Sequence, residues 1–408
     1  MTLLLWLSLG AAFAVSLSPD EVVRAALAQD PALARAEAEV TAAEGALRAA
    51  TGLRYDPTLE ARLGFGLTQH EVSLSQPFSF SGEGRAAAQA ARAGLEAAEA
   101  ERAQRRLEVA AAARLGMIEV IDAQAEVARA KEAVVLTQRI RAQVERRLAS
   151  GDVGELEVHL ARLEEAAAVG GLLTAQTRLL EAQASLAATT GLTDTLSLPT
   201  DPMLVVPTLS TAGESAALVA ASARQDGAEA ALRQAQAARL PPVELGVWAQ
   251  AQNVAVSATP TGVEIAPWSW EQNAAWTVGP TLSATLPLWA RNQGGVAEAE
   301  GAAHLAQSER VALESRLAAE RAGVEVRREV IGQLTQTADP SEEARAALVA
   351  IEAALNAGAI GLAEATLLQA RVLDAWGMAA EARANAAEMT VQLALVESWP
   401  SLLPADAQ

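Results

Sequence analysis

The sequence Leu148-x-x-Gly151-x-x-Gly154-x-x-Glu157-x-x-Leu160 recurs as Leu355-x-x-Gly358-x-x-Gly361-x-x-Glu364-x-x-Leu367, every position displaced by 207. Upstream, Pro77 and Gly84 find counterparts 210 residues on, at Pro287 and Gly294. An offset so nearly constant marks an internal duplication, and two long-period copies fold as two similar units. Any architecture for this chain must therefore be built from a pair. The organisation this predicts is an N-terminal segment 1–14, a first repeat 15–198, a linker 199–213, a second repeat 214–399 and a tail 400–408.

Composition removes several function classes. The 408 residues contain no cysteine, so neither a disulfide framework nor a thiolate metal site can form. A formal charge of -19 argues against nucleic acid as a partner, because phosphate binding needs basic patches. Much of the 51% hydrophobic content is alanine, and Lys131 is the only lysine. Alanine here reflects coding bias as much as burial. Leu3 to Ala14 is a short apolar run ending in Ala12-Phe13-Ala14, the small-x-small pattern of a signal-peptidase site. The run is too short to span a bilayer, no other stretch is long enough to do so, and the mature chain is expected to begin near Val15.

Most of the remaining chain reads as helix. Pro19 to Leu53 consists of helix formers behind Ser18, an N-cap residue. Glu83 to Ala149 runs for more than 60 residues without proline, a rod of roughly 100 Å at 1.5 Å per residue. Gly151 ends it, and a helix from about Glu155 to Thr190 returns antiparallel. The second copy repeats the plan with helices at Gly213–Arg239, Gly294–Asn356 and Ile360–Glu397, the second of them interrupted at Asp339-Pro340.

Two stretches have a period of two instead. Leu59, Ala61, Leu63, Phe65 and Leu67 alternate with Glu60, Arg62, Gly64, Gly66 and Thr68; Val72, Leu74, Phe78 and Phe80 alternate with serines and Pro77, Gln76 being out of phase. In the second copy Trp276, Val278, Pro280, Leu282, Ala284 and Leu286 alternate with Thr277, Gly279, Thr281, Ser283 and Thr285, and Val243–Asn253 is a noisier strand, with Trp248 on the face of Glu244 and Gln250. These predict β-hairpins at about 58–81 and 242–289, four strands apolar on one side. Of the eleven aromatics beyond the tag, nine lie in or beside these strands: Tyr55, Phe65, Phe78, Phe80, Trp248, Trp268, Trp270, Trp276 and Trp289. Membrane-interface girdles concentrate aromatics in this way, and Phe65, Phe78, Phe80, Trp248, Trp276 and Trp289 are the candidates for that role. Four strands cannot close a membrane barrel, and an open edge in hydrocarbon is prohibitive. The chain is thus expected to oligomerise around a wet lumen.

Pro31-Ala32-Leu33 after the first short helix, the Gln76-Pro77 entry to a long helix, and the Gly151 and Gly358 hairpins together resemble the TolC-like outer-membrane efflux family over essentially the whole mature chain. Thr285-Leu286-Pro287-Leu288-Trp289-Ala290-Arg291-Asn292-Gln293-Gly294 is similar to a segment of its CzcC-like branch, associated with heavy-metal efflux. The resemblance implies a mainly α fold with membrane β: two tandem repeats of long helical hairpins plus β-hairpins, assembled as a homotrimer. It implies a trimeric α-barrel in the periplasm continuing a shared 12-stranded transmembrane β-barrel in outer-membrane lipid. The implied partners are a periplasmic adaptor and an inner-membrane pump. Two sites carry over. Glu157 and Glu364 stand where the family places acids at a pore constriction, and a ring of them would favour cations. Gly151, Gly154, Gly358 and Gly361 mark an adaptor-docking surface. The tyrosine and arginine that latch the closed state in other members are Leu355 and Ile360 here, so that latch is not carried over.

No cofactor and no enzyme activity are indicated. His70, His159 and His304 are scattered without ligand spacing, and Gly82-Glu83-Gly84 lacks the Lys-Ser/Thr of a phosphate loop. The expected function is a passive exit duct for a tripartite pump, with divalent heavy-metal cations as the cargo and organic compounds, drugs or secreted polypeptides as alternatives. A periplasmic adaptor and a soluble helical structural protein are the competing readings.

Overall fold

The computed structural model describes residues 18–52, 55–62, 69–192, 198–208, 215–252, 256–259, 262–265, 275–284, 291–335 and 340–407. The expected export tag (1–14), Phe65, Trp268, Trp270, Trp289 and Pro287 lie outside them. Among the described residues the order is α1 (Pro19–Gln29), α2 (Pro31–Thr51), β1 (Thr58–Arg62), β2 (Gln69–Phe78), α3 (Glu83–Ala149) and α4 (Glu155–Thr190), followed by α5 (Ala216–Ala237). Then come β3 (Val243–Gln252), β4 (Val256–Thr259), β5 (Gly262–Ile265), β6 (Ala275–Ala284), α6 (Gln293–Ala322), α7 (Val324–Thr335), α8 (Ser341–Asn356) and α9 (Leu362–Val396). No helix among the described residues is long and apolar enough to cross a membrane.

Local chemistry explains most boundaries. Ser18 caps α1 in a capping box: its backbone N–H donates to Glu21 Oε2 at 2.6 Å, and Glu21 N–H returns to Ser18 Oγ at 3.4 Å. Those bonds hold the Glu21 carboxyl below its ordinary range. The helix expected from Pro19 to Leu53 is two, because Asp30 adopts an extended conformation and its carboxylate accepts from Leu33 N–H at 2.7 Å, starting α2 behind Pro31. The long second-copy helix breaks twice, at Pro340 as expected and also at Gly323, where no break was expected. Glycine weakens a helix interior by about 1 kcal/mol against alanine.

The two sequence copies are not the two compact units. One unit comprises residues 1–36, 102–216 and 315–408; the other comprises 37–101 and 217–314. Each copy donates its helical hairpin to the first and its strands to the second, so the duplication is shared out rather than split.

In the first unit a core joins Val22, Val23 and Ala26 of α1, Met117, Ile118 and Ile121 of α3, Leu186 of α4, and Val391 and Leu393 of α9, with Trp399 and Leu402. Leu402 of the tail is thus built into the core, with Leu403 packed against it. Arg114, buried on α3, donates to Val205 O (2.6 Å), Leu402 O (3.2 Å) and Asp20 Oδ1 (3.1 Å). One guanidinium so ties α1, the linker and the C-terminal segment, and burial lowers its pKa against the attraction of Asp20. Trp399 Nε1 and Arg328 both donate to Glu397 Oε2, at 2.8 and 2.7 Å.

In the second unit β1-β2-β3-β6 form one antiparallel sheet, the two copies' hairpins joined through β2 and β3. β1 and β6 are its edges. The region expected as a single second-copy hairpin contains an additional two-stranded one, β4–β5. On the helical side Gly227 of α5 sits over Ala93 of α3, where an added Cβ would meet the alanine methyl at 3.5 Å.

Candidate functional site

Both helical hairpins turn by the same device. Gly151 has φ +82° and Gly358 φ +71°, a left-handed conformation that glycine adopts without cost. Asp152 N–H donates to Arg147 O at 2.9 Å and Gly151 N–H to Leu148 O at 3.0 Å; Ala359 N–H donates to Ala354 O at 2.9 Å and Gly358 N–H to Leu355 O at 3.1 Å. This is a Schellman closure in each copy, using up the last helix carbonyls. Gly154 and Gly361 differ: they are extended N-caps of α4 and α9, with φ -93° and -83°, a backbone that any residue accepts. All four glycines are exposed, and a Cβ at Gly151, Gly358 or Gly361 would meet nothing within 4 Å.

Behind the turns the hairpins pack on one another. Leu136, Ile140 and Val144 of α3 and Val158 and Ala161 of α4 share a core with Leu348, Ile351 and Leu355 of α8 and Ala365 of α9. Leu355 is 1% exposed, and Ile360 packs against the same cluster. The two positions thus belong to one apolar cluster. Arg139 of α3 pairs with Glu352 of α8 at 3.1 Å, a bond between the copies. Within the first hairpin Arg141 pairs with Glu165 at 2.5 Å and Arg162 with Glu145 at 3.1 Å. The hydrogen bond from Arg162, reinforced by Arg141, holds the Glu145 carboxyl below its usual range.

The two candidate acids are placed differently. Glu157, half-buried, accepts from Gly154 N–H through Oε2 at 3.1 Å. Glu364 is exposed and, among the described residues, makes no hydrogen bond or ion pair. No bond links the two. His159 is exposed, and no group of three or more His, Asp or Glu among the described residues could hold a metal ion.

The sheet register sorts the strand residues into two faces. Rows Leu59–Leu74–Val247–Pro280 and Ala61–Val72–Ala249–Val278 lie on one side, with His70–Ala251–Trp276 and Phe78–Val243–Ala284. Rows Thr58–Ser75–Gly246–Thr281, Glu60–Ser73–Trp248–Gly279 and Arg62–Glu71–Gln250–Thr277 lie on the other. The apolar face is open: Leu59 is 69% and Leu282 71% exposed. Gln76 falls on it, its amide donating to Tyr55 O at 2.6 Å. Trp276 is 64% exposed on the apolar face; Phe80, 75% exposed, lies just beyond β2, its ring 6.4 Å from that of Phe78. Trp248 does not join them. It lies on the polar face against Gly279, whose missing side chain leaves room for the indole.

Sequence reasoning missed one cluster. Arg178 of α4 pairs with Asp122 and Glu126 of α3, at 3.0 and 2.7 Å. Glu388 of α9 lies near Glu119 and Asp122, and burial followed by those charges raises its pKa, only partly offset by Arg178. The spacing of Glu119, Asp122 and Glu126 along one helix face was visible, but such acids are common in a chain this acidic.

Residues 22–192 match the family model described as outer membrane efflux protein. None of the curated proteins matches the chain in sequence. Among solved structures, the outer membrane protein VceC of Vibrio cholerae is similar with a TM-score of 0.68 and 21% identity, over 94% of this chain and 95% of that one. The CmeC outer membrane channel of Campylobacter jejuni gives 0.69 and 14% over 93% and 85%, and CusC gives 0.69 and 17% over 97% and 94%. At such identities the likeness of these structures speaks for the fold. Residues 22–192 thus carry the pattern of the outer membrane efflux protein family, and the chain as a whole has the fold of these outer membrane channels.

Proposed function

We propose that the protein is the passive exit duct of a tripartite pump, a homotrimer that conducts cargo from periplasm to exterior. On this reading it is an outer-membrane efflux channel rather than an enzyme, which the family pattern over residues 22–192 and the fold shared with outer membrane channels support. The observation that carries the duct reading is the sheet: four strands, one face open and apolar, the other polar, and both edges β1 and β6 unpaired among the described residues. Such a sheet is tolerated in lipid only when neighbouring copies seal its edges. Three copies supply twelve strands, which exceeds the eight of the smallest membrane barrels.

The glycine turns support a docking role toward a periplasmic adaptor, since they are exposed and leave the backbone open to close approach. Glu364 supports an acidic constriction. For cargo we favour divalent heavy-metal cations, on the similarity of the Thr285–Gly294 segment to the CzcC-like branch. The segment 1–14 is read as a signal peptide, and the repeats as 15–198 and 214–399.

Membrane fractionation tests the duct. A detergent-requiring trimer that dissociates on heating is expected; a water-soluble monomer would end the proposal. Zinc, cobalt and copper tolerance of a deletion strain, set beside antibiotic tolerance, tests the cargo. Unchanged metal tolerance with lost antibiotic tolerance would assign organic compounds instead.

A further inference from the structure

We propose that the two tip glutamates, equivalent in the sequence repeat, have different roles: Glu157 is a positioning residue that caps its own turn, and Glu364 alone presents a free carboxylate. The proposal rests on the channel function. Each acid is the third residue of a helix whose N-cap is glycine, a position from which a glutamate can reach back to the cap's own N–H. Glycine has no side chain to cap with, so that reach is the one side-chain capping bond the turn can form. In the first hairpin it is made, at 3.1 Å from Gly154 N–H. The second hairpin presents apolar residues to the shared core there, with Leu355 buried and Ile360 packed against it.

The rest of the first turn is reinforced in the same sense. Ser150 Oγ donates to Asp152 Oδ2 at 2.7 Å and lies 3.1 Å from Arg147 O. The residues 207 positions on are Ala357 and Ala359, which can form neither contact. Glu364 is exposed and makes no bond among the described residues. A carboxylate held on a helix N-terminus has part of its charge met by the backbone dipoles, whereas a free one keeps all of it for a passing ion. A three-copy constriction would then carry three available carboxylates rather than six.

The test uses the full chain reconstituted in planar bilayers, reading reversal potential in a KCl gradient, with hydrogen exchange over residues 150–158 as a second readout. Glutamine keeps the accepting oxygen and removes the charge. Glu157→Gln should leave both readouts at the parent's values, while Glu157→Ala should speed exchange at Gly154 by about fivefold, the loss of one cap. Glu364→Gln should move the reversal potential toward zero and leave exchange over 150–158 unchanged. A Glu157→Gln shift as large as that of Glu364→Gln would overturn the division of roles, as would unchanged exchange in Glu157→Ala. If neither glutamine variant moves the potential but Glu157→Ala still speeds exchange, the cap stands and the acidic constriction falls.

Discussion

Trp248 and Gly279 are cross-strand partners, and a β-carbon at Gly279 would come within 3.1 Å of indole Cε2 and Nε1. The pair is a large ring seated on an absent side chain. Gly279→Val should therefore displace the ring and destabilise the sheet by about 1–3 kcal/mol, the usual cost of overpacking. Trp248→Ala should relieve that clash, so the double variant should be more heat-resistant than the two single losses added together. Thermal unfolding in detergent measures this, and strict additivity would show that the ring does not rest there.

Arg114 carries three oxygens on one buried guanidinium. Arg114→Ala would leave Val205 O and Leu402 O without that donor and Asp20 without its partner, at a cost of about 3–5 kcal/mol. Asp20→Asn should cost less, since the Asp20 side chain is half-exposed and both carbonyl bonds remain. Thermal unfolding in detergent ranks the two, and an equal effect would refute the shared-node account.

Glu388 predicts a pH dependence. Its folded pKa is raised, so its contribution favours the folded state below the ordinary carboxylate range and is lost as pH rises through the folded value. Glu388→Gln should accordingly raise the melting temperature by about 1–2 °C at pH 7 to 8 and leave it unchanged at pH 4. A rise of equal size at both pH values would mean that packing, not charge, is responsible.

The four glycines separate conformation from docking. Gly358→Ala forces a β-carbon into a left-handed turn and should cost about 1 kcal/mol of stability. Gly361→Ala meets neither strain nor neighbours and should melt as the parent does. Loss of efflux in Gly361→Ala at parental stability would locate an interface at that turn; full efflux would remove Gly361 from it.

The sequence made the long elements legible because their signals are local and repeated. An uninterrupted run without proline specified Glu83–Ala149, and alternation specified β2, β3 and β6. Shorter breaks were harder. Gly323 looks like any glycine tolerated in a helix, and the four-residue strands β4 and β5 are too brief for periodicity to register. The site was legible as positions, not as roles. Glu157 and Glu364 share one motif, yet which carboxylate turns back to its cap depends on side-chain geometry and on apolar neighbours 200 residues away. Arg114 gave no signal at all, since its partners are backbone carbonyls brought together by the tertiary fold.

The rims at β1 and β6, unpaired among the described residues, would constrain biogenesis under the proposed function. A single copy entering lipid alone would carry bare amides of its outer strands into oil. Entry and association would then be one coupled event, and the rate at which copies meet would set the rate at which finished channels appear.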